Sequence, residues 1–454
     1  MNPNSTVMNV FRRKIYDELI DWKNKWSREY AILLEGARRV GKSTIVEEFA
    51  RNEYDSYLII DFNHVTKDVI SVFEAYSHDT DKLLSTLQMV CNVRLKPGKS
   101  LVVFDEVQKY PKARGLIKYL VKDGRYDYIE TGSLITLKQN TRNIQIPSEE
   151  MHLRMYPMDF EEWCWACGFE DMFGTIKEAY GKREPLMDPV HRSVMEQFKT
   201  YMLTGGMPQA VSKYVETHDM VAVETVKKVI LDLYRDDMSK IGGSAGTKAR
   251  AIFEDIPSML STHRKNFRPG MIKKNSRQTY FAPGIEWLTS ARICEKCKLT
   301  TDPDLTGNLN NGEPFKCYLL DTGLLMSLAF DNGVLSMPEV YSAFTKGRLS
   351  INEGMLFENV AAQLLRSSGK ELHYVELKKK KDDKNVYEID FVLPKGKKIT
   401  PVEIKSSTSS KHDSLDFFMK KYAKRIDGAV IIHSKNMRSE GRILYLPIYM
   451  TSLM

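Results

Sequence analysis

The chain has 454 residues, 42% hydrophobic and 28% charged, a length that calls for about three domains and a composition ordinary for globular proteins. No apolar run approaches the ~18 residues of a membrane span, no signal-peptide core opens the mixed-charge amphipathic N-terminus, and six scattered cysteines exclude a disulfide framework, so a cytoplasmic protein is expected. The net charge of +8 is compatible with nucleic acid without requiring it, and its clusters "LKKKKDDK" and "PKGKK" both fall in the last quarter.

In "YAILLEGARRVGKSTIVEEFA", Ala31 to Glu35 reads as a short apolar strand and Ser43 onward as an amphipathic helix. Between them Gly36-x4-Gly41-Lys42-Ser43 has P-loop spacing with the flanks that motif requires. The glycines let the backbone curl so that its N–H groups face phosphates, and the helix N-terminus adds partial positive charge. Gly36, Ala37, Arg38, Arg39, Val40, Gly41, Lys42, Ser43 and Thr44 are therefore the expected ATP-binding segment. Lys42 would reach the β- and γ-phosphates, and Ser43 would ligate Mg²⁺.

A second strand is expected over "YLIIDF", and "SLVVFDEVQKYP" then ends an apolar β-branched run on Asp105 and Glu106. Such a run suits a parallel strand buried on both faces, with acids at the C-terminal edge where open α/β sheets bind ligands. Asp105 would hold the Mg²⁺ shell and Glu106 would polarise the attacking water. The following strand, "YDYIETGSLITL", ends in Thr131-Gly132-Ser133, and Ser133 is placed as a γ-phosphate or water sensor.

The stretches "GARRVGKST", "VVFDEVQKYP", "ETGS", "YPMDFEEW" and "YMLTGGMPQAV" together resemble prokaryotic AAA-type P-loop ATP-binding proteins that carry a C-terminal domain of unassigned function. The resemblance extends along essentially the whole chain and implies ATP binding more firmly than a biological role. One departure matters. Many relatives carry Gly-Arg shortly before the "YPMDF"-like segment, whereas this chain has "PSEE", so no arginine finger carries over. Arg154 and Arg235 remain basic candidates, and a homo-oligomer stays open.

Helical periodicity around the Gly205-Gly206 turn suggests a helical cap, and the CxxC pairs Cys164/Cys167 and Cys294/Cys297 fall on a predicted helix and strand rather than on zinc knuckles. From 247 to 326, two amphipathic helices precede two strands across the polar turn "TDPDLTGNLNNGEP", a winged-helix order. The basic run "HRKNFRPGMIKKNSRQ" before the second helix could contact DNA phosphates, or the module could serve packing alone.

Near the C-terminus, "SINEGMLFENVAAQLLRSSG" is a predicted helix carrying Glu358 beside its apolar stripe. "YEIDFVL" alternates, so Glu388 and Asp390 share a face, and Glu403 and Lys405 are co-facial in "TPVEIKSS" across a tight turn at Lys395-Gly396. Helix Glu, strand Asp, then Glu-x-Lys resembles the PD-(D/E)xK nucleases. That resemblance implies Mg²⁺ on Asp390 and Glu403, a water-activating Lys405, and Glu358 completing the shell. The alternative is a half-buried hairpin with a polar face.

The expected architecture is α/β: an AAA-type P-loop parallel-sheet domain over 1–190, a helical and winged-helix-like region over 191–330, and a restriction-nuclease-like domain over 331–454. The expected function is a Mg²⁺-dependent ATPase coupled to nucleic-acid binding or processing. A nucleotide-switched binding or regulatory module without nuclease activity is the alternative.

Overall fold

A computed structural model describes residues 10–132, 147–262, 265–300, 314–330, 337–346, 353–378, 386–405 and 412–454. It divides into two compact units, Met1–Tyr156 with Ser290–Arg292, and Pro157–Thr289 with Ile293–Met454.

The first unit runs α1 (Lys14–Lys25), β1 (Ala31–Glu35), α2 (Lys42–Glu53), β2 (Ser56–Asp61), α3 (Lys67–Tyr76), α4 (Thr80–Val90), β3 (Ser100–Asp105), α5 (Pro111–Asp123), β4 (Asp127–Gly132) and β5 (Glu150–Arg154). Its five strands form a parallel sheet in the order β2-β3-β4-β1-β5. The segments "AILLE" and "SLVVFD" are buried at every position because helices cover both faces of a parallel sheet. Each fully buried Leu or Phe here contributes about 1.5–3 kcal/mol of transfer free energy. Phe62, Phe73, Phe104 and Tyr110 form one aromatic cluster on the face covered by α3, α4 and α5. Thr66 and Asp79 cap α3 and α4 by accepting from Val69 N and Lys82 N. The order inserts β4 between the phosphate-loop strand β1 and the acid-bearing strand β3, so the tip of β4 lies at the centre of the site.

The second unit begins with α6 (Phe160–Ala166), α7 (Glu170–Lys182), α8 (Asp188–Thr204), α9 (Pro208–Thr217), α10 (Met220–Ser239), α11 (Ser244–Ser261), α12 (Pro269–Ile272) and α13 (Gln278–Ser290). Asp159 and Glu162 close a capping box at the start of α6. Gly205 turns the chain at φ 79°, and the following Gly206 is pressed so closely on the Met158 carbonyl that a Cβ would collide with it. Lys227 is fully buried and satisfied, donating to Leu203 O at 2.8 Å and Tyr341 Oη at 2.8 Å and pairing with Glu224 at 3.0 Å.

Then follow β6 (Cys294–Leu299), β7 (Phe315–Leu319), α14 (Thr322–Phe330), α15 (Met337–Thr345), α16 (Glu353–Ser367), β8 (His373–Lys378), β9 (Val386–Ile389), β10 (Phe391–Lys395), β11 (Lys398–Lys405), α17 (Asp413–Lys421), β12 (Ala429–His433), β13 (Arg438–Glu440) and β14 (Ile443–Pro447). The β6–β7 pair is antiparallel, as the winged-helix order anticipates, but it is not a free wing. β8 joins β6 in parallel, giving the order β7-β6-β8-β9, and Asn266 bridges Lys316 on β7. Both edges of the hairpin are thus engaged, because unpaired strand edges leave backbone groups that another strand can satisfy.

The β10–β11 hairpin also forms, with Phe391 opposite Val402, Lys395 opposite Lys398, and Gly396 at φ 61° in the turn. It belongs to a separate sheet, β10-β11-β12-β14-β13. "YEIDFVL" is therefore not one strand. It breaks at Asp390, where β9 leaves β8 and β10 takes up β11, and the Asp390 carboxylate accepts Ile404 N at 2.8 Å across the break.

Candidate functional site

The phosphate loop leaves the C-terminal end of β1 and enters α2 at its first turn. Gly41 adopts φ 99°, a conformation that favours glycine. Gly36 lies where a Cβ would stand 2.5 Å from the Met155 carbonyl, so the loop can hug the sheet only without a side chain there. Ala37 and Val40 are buried, while Arg38, Arg39, Ser43 and Thr44 are exposed at the mouth. The Lys42 ammonium is buried inside the loop, donating to Gly36 O at 3.0 Å and Ala37 O at 3.1 Å. Burial pushes its pKa down, against the raising charges of Glu106 and Asp105. Arg13, a residue for which the sequence offered no signal, braces the loop from behind: it donates to Val40 O at 3.0 Å and to Tyr156 O at 2.6 Å.

Ser43 donates to Asp105 Oδ1 at 3.0 Å. Thr131, at the tip of β4, donates to the same carboxylate oxygen and accepts the Glu106 N–H at 3.1 Å. Glu106 is held in the left-handed region at φ 54°, ψ 45°, a non-glycine conformation costing about 1–3 kcal/mol that persists only where its surroundings impose it. Its carboxylate accepts from the Gln108 amide. Gln108 in turn fills the space over Gly132, where a Cβ would strike its amide oxygen. Ser133, the expected sensor, lies outside the described residues. Thr131, two residues earlier, is the strand-end hydroxyl that faces Asp105 and Glu106. Alternation in "ETGS" does not reveal that the Thr131 hydroxyl faces Asp105.

The donor set fits a nucleotide and a divalent ion. A buried ammonium and a glycine-lined helix N-terminus suit phosphates, and an exposed hydroxyl beside a carboxylate suits a hard cation. Mg²⁺ held there would neutralise charge developing on the phosphates. Glu106 stands one residue beyond, aimed by Thr131 and Gln108.

Beneath the loop lies a row of charged groups. Glu35, the residue before Gly36, meets His152 Nδ1 at 3.2 Å, and His152 Nε2 meets Glu150 at 3.0 Å. Arg114 grips Glu150 in a bidentate pair at 3.0 and 2.7 Å. Hydrogen bonds to Glu150 and Glu35 raise His152 to about 9. Burial works against the Glu150 charge, but His152 and Arg114 outweigh it and hold the carboxyl at about 2. Burial and the Glu150 charge push fully buried Glu130 well above the usual carboxyl range.

In the second unit, Glu358 and Asp390 do come together, around a residue the sequence had not singled out. Lys316 on β7 has 0% side-chain exposure and places its ammonium 2.9 Å from Glu358, 2.5 Å from Glu388 and 3.6 Å from Asp390. Glu358 also pairs with Lys265 and accepts from Tyr318. Burial opposes its charge, yet the two lysines hold it at about 2. Asp390 is raised to about 6, by burial first and by the Glu358 charge second. Glu403 and Lys405 pair with each other at 2.5 Å. Lys316 stands against Glu358, Glu388 and Asp390, so the expected Mg²⁺ on Asp390 and Glu403 would have to share Asp390 with a buried ammonium. No group of at least three His, Cys, Asp or Glu side chains among the described residues is arranged to hold a metal ion.

The arginine candidates separate. Arg235 is absorbed by Glu254 at 2.8 and 3.1 Å and by Asp232 at 2.9 Å. Arg154 is exposed at the end of β5, in register with Glu35. No helix among the described residues is long and apolar enough to cross a membrane.

Residues 28–164 match a family described as an AAA domain. Residues 195–334 and 353–450 match two domains of unknown function, DUF8612 and DUF4143. No curated protein matches the chain. Among solved structures, a signal transduction ATPase with numerous domains, bearing a tetratricopeptide repeat sensor, from Pyrococcus horikoshii is 15% identical, with 79% of this chain and 48% of that one covered and a TM-score of 0.29. Cdc6p from Pyrobaculum aerophilum is 12% identical, with 76% and 97% covered and a TM-score of 0.28. The chain thus spans about half the length of the Pyrococcus protein, at 48%.

Proposed function

We propose that the chain is an ATP-hydrolysing switch that acts on nucleic acid through its second unit, without metal-dependent cleavage. The functional division is the one read from the sequence: an ATPase part, a helical middle and a C-terminal nuclease-like part. What carries the ATPase reading is the chain of contacts from Ser43 through Asp105 and Thr131 to Glu106. In it Lys42 and the loop hold the phosphates, Ser43 and Asp105 hold Mg²⁺, and Glu106 takes the proton of the attacking water. Steady-state phosphate release with Mg²⁺-ATP tests this. Lys42→Ala is expected to abolish both nucleotide binding and turnover, and wild-type protein that neither binds nor hydrolyses ATP would sink the proposal.

The nuclease-like resemblance keeps a second reading alive, in which Asp390, Glu403, Lys405 and Glu358 cut DNA. Lys316 favours the reading without cleavage, since it supplies the positive charge that a metal would bring. End-labelled linear, nicked and branched DNA with Mg²⁺ or Mn²⁺ separates the two. Cuts that disappear in Asp390→Ala and Lys405→Ala would establish the nuclease instead.

A further inference from the structure

We infer that Tyr280, with Lys248 and Lys273 against its ring and Lys274 and Arg277 beside it, is a stacking platform for single-stranded nucleic acid. The inference rests on the nucleic-acid reading above and names the surface and the strand class. Between 265 and 285 the chain carries Lys265, Arg268, Lys273, Lys274 and Arg277 and no Asp or Glu. Several cations of this unit are taken up internally: Lys265 of this run and Lys316 by Glu358, Lys227 by Glu224, and Arg235 by Glu254. Lys273, Lys274 and Arg277 are instead exposed. Among the described residues, neither these three nor Lys248 has a carboxylate partner.

The fold presents the ring deliberately. Phe281, Ile285 and Leu288 bury one stripe of α13, which leaves Tyr280 at the rim with 42% exposure. One turn on, Gly284 packs so close to α11 that a Cβ would stand 2.6 Å from Ala249 N. That approach sets Tyr280 over Lys248, whose ammonium lies 4.1 Å from the ring centroid. Lys273 approaches to 4.5 Å from the centroid and donates to the phenol oxygen at 3.4 Å. Both ammonium groups lie over the ring, so a base that stacks there displaces a lysine from the π-face and leaves that ammonium as a charge partner for its phosphate. A duplex cannot use such a ring, because its base faces are already stacked on one another. A strand with open bases can.

Fluorescence anisotropy of the full chain with labelled oligo-dT, and with a blunt duplex of the same length, tests the platform. Tyr280→Ala should weaken oligo-dT binding by about 10- to 100-fold, and Tyr280→Phe should bind as wild type. The double variant Lys274→Ala/Arg277→Ala should flatten the salt dependence. Thermal unfolding of Lys274→Ala/Arg277→Ala should match wild type, since both side chains are exposed, and Tyr280→Ala, which also loses the contact with Phe281, is titrated well below its own midpoint. If Tyr280→Ala binds oligo-dT as wild type does, or loses duplex and single strand equally, the platform is wrong while the nucleic-acid reading stands. If wild-type protein binds neither substrate, that reading falls and the platform with it.

Discussion

Ser43 donates to Asp105 at 3.0 Å across 62 residues of chain, and Thr131 donates to the same oxygen from the strand between them. The phosphate loop, the acid pair and the central strand tip are therefore one hydrogen-bonded unit. Thr131 binds both Asp105 and the Glu106 backbone and is assigned here as a positioning residue for that pair. Thr131→Val keeps the shape and removes both bonds. We expect kcat to fall by more than about tenfold while nucleotide affinity stays within about threefold, as for groups that aim a catalytic base rather than bind substrate. A fluorescent-ATP titration beside steady-state turnover checks the split, and an equal loss in both would assign Thr131 to binding.

Glu106 makes a sharper case. Its left-handed backbone and its bond from Gln108 hold a carboxylate one residue beyond Asp105. Glu106→Gln should bind ATP as wild type does and hydrolyse it about 10²–10⁴-fold more slowly, the range general-base loss commonly shows. Rapid-quench measurement of a single turnover would read this step directly. Undiminished hydrolysis would move the base elsewhere.

Lys316 is fully buried among Glu358, Glu388 and Asp390. Removing one partner from a buried charge cluster costs about 3–5 kcal/mol because the others lose their compensation. Lys316→Met should lower stability by that order, read as a shift in the urea midpoint. Millimolar Mn²⁺ should restore part of the loss in the variant and leave wild type unmoved, since the vacated position is then ringed by oxygens. A variant indifferent to Mn²⁺ would show that the ammonium is not standing in for a cation.

His152 brings a pH dependence of definite sign. Its folded pKa of about 9 lies above the ordinary value of 6.5, because Glu150 and Glu35 face both ring nitrogens. A raised histidine stabilises fully below the unfolded pKa, and the contribution is lost as pH rises through the folded one. Wild-type stability should therefore decline between about pH 6.5 and pH 9 relative to His152→Gln. The side chain is 48% exposed, so solvent screening keeps the effect small. Paired denaturation midpoints across that window measure it, and parallel curves would mean that the two bonds do not persist in solution.

Features written in short stretches of sequence were legible. The spacing from Gly36 to Ser43, the apolar run ending on Asp105 and Glu106, and the turn at Gly396 each constrain neighbouring residues, so periodicity and turn chemistry suffice to read them. Helix Glu358 and strand Asp390 both reach Lys316. What stood between them was not legible. Nothing in "PFKCYLL" says that Lys316 will be buried among three carboxylates, because the partners come from α16, β9 and the break after it.

Strand alternation assigns a residue to a face but not to a neighbour, and register and strand order choose the neighbour. The insertion of β4 between β1 and β3 decided that Thr131 would bind Asp105, and the brace from Arg13 to Val40 likewise waited on the fold. The pairing of β8 with β6, which drew the expected wing into a four-stranded sheet, depended on chain more than seventy residues away, Lys298 meeting His373. The sequence by itself determined which local shapes this chain can make and which groups they carry to strand ends and helix starts. The tertiary structure alone decided which charges would be buried against which, since compensation of a buried charge is a property of the assembled neighbourhood and not of any segment within it.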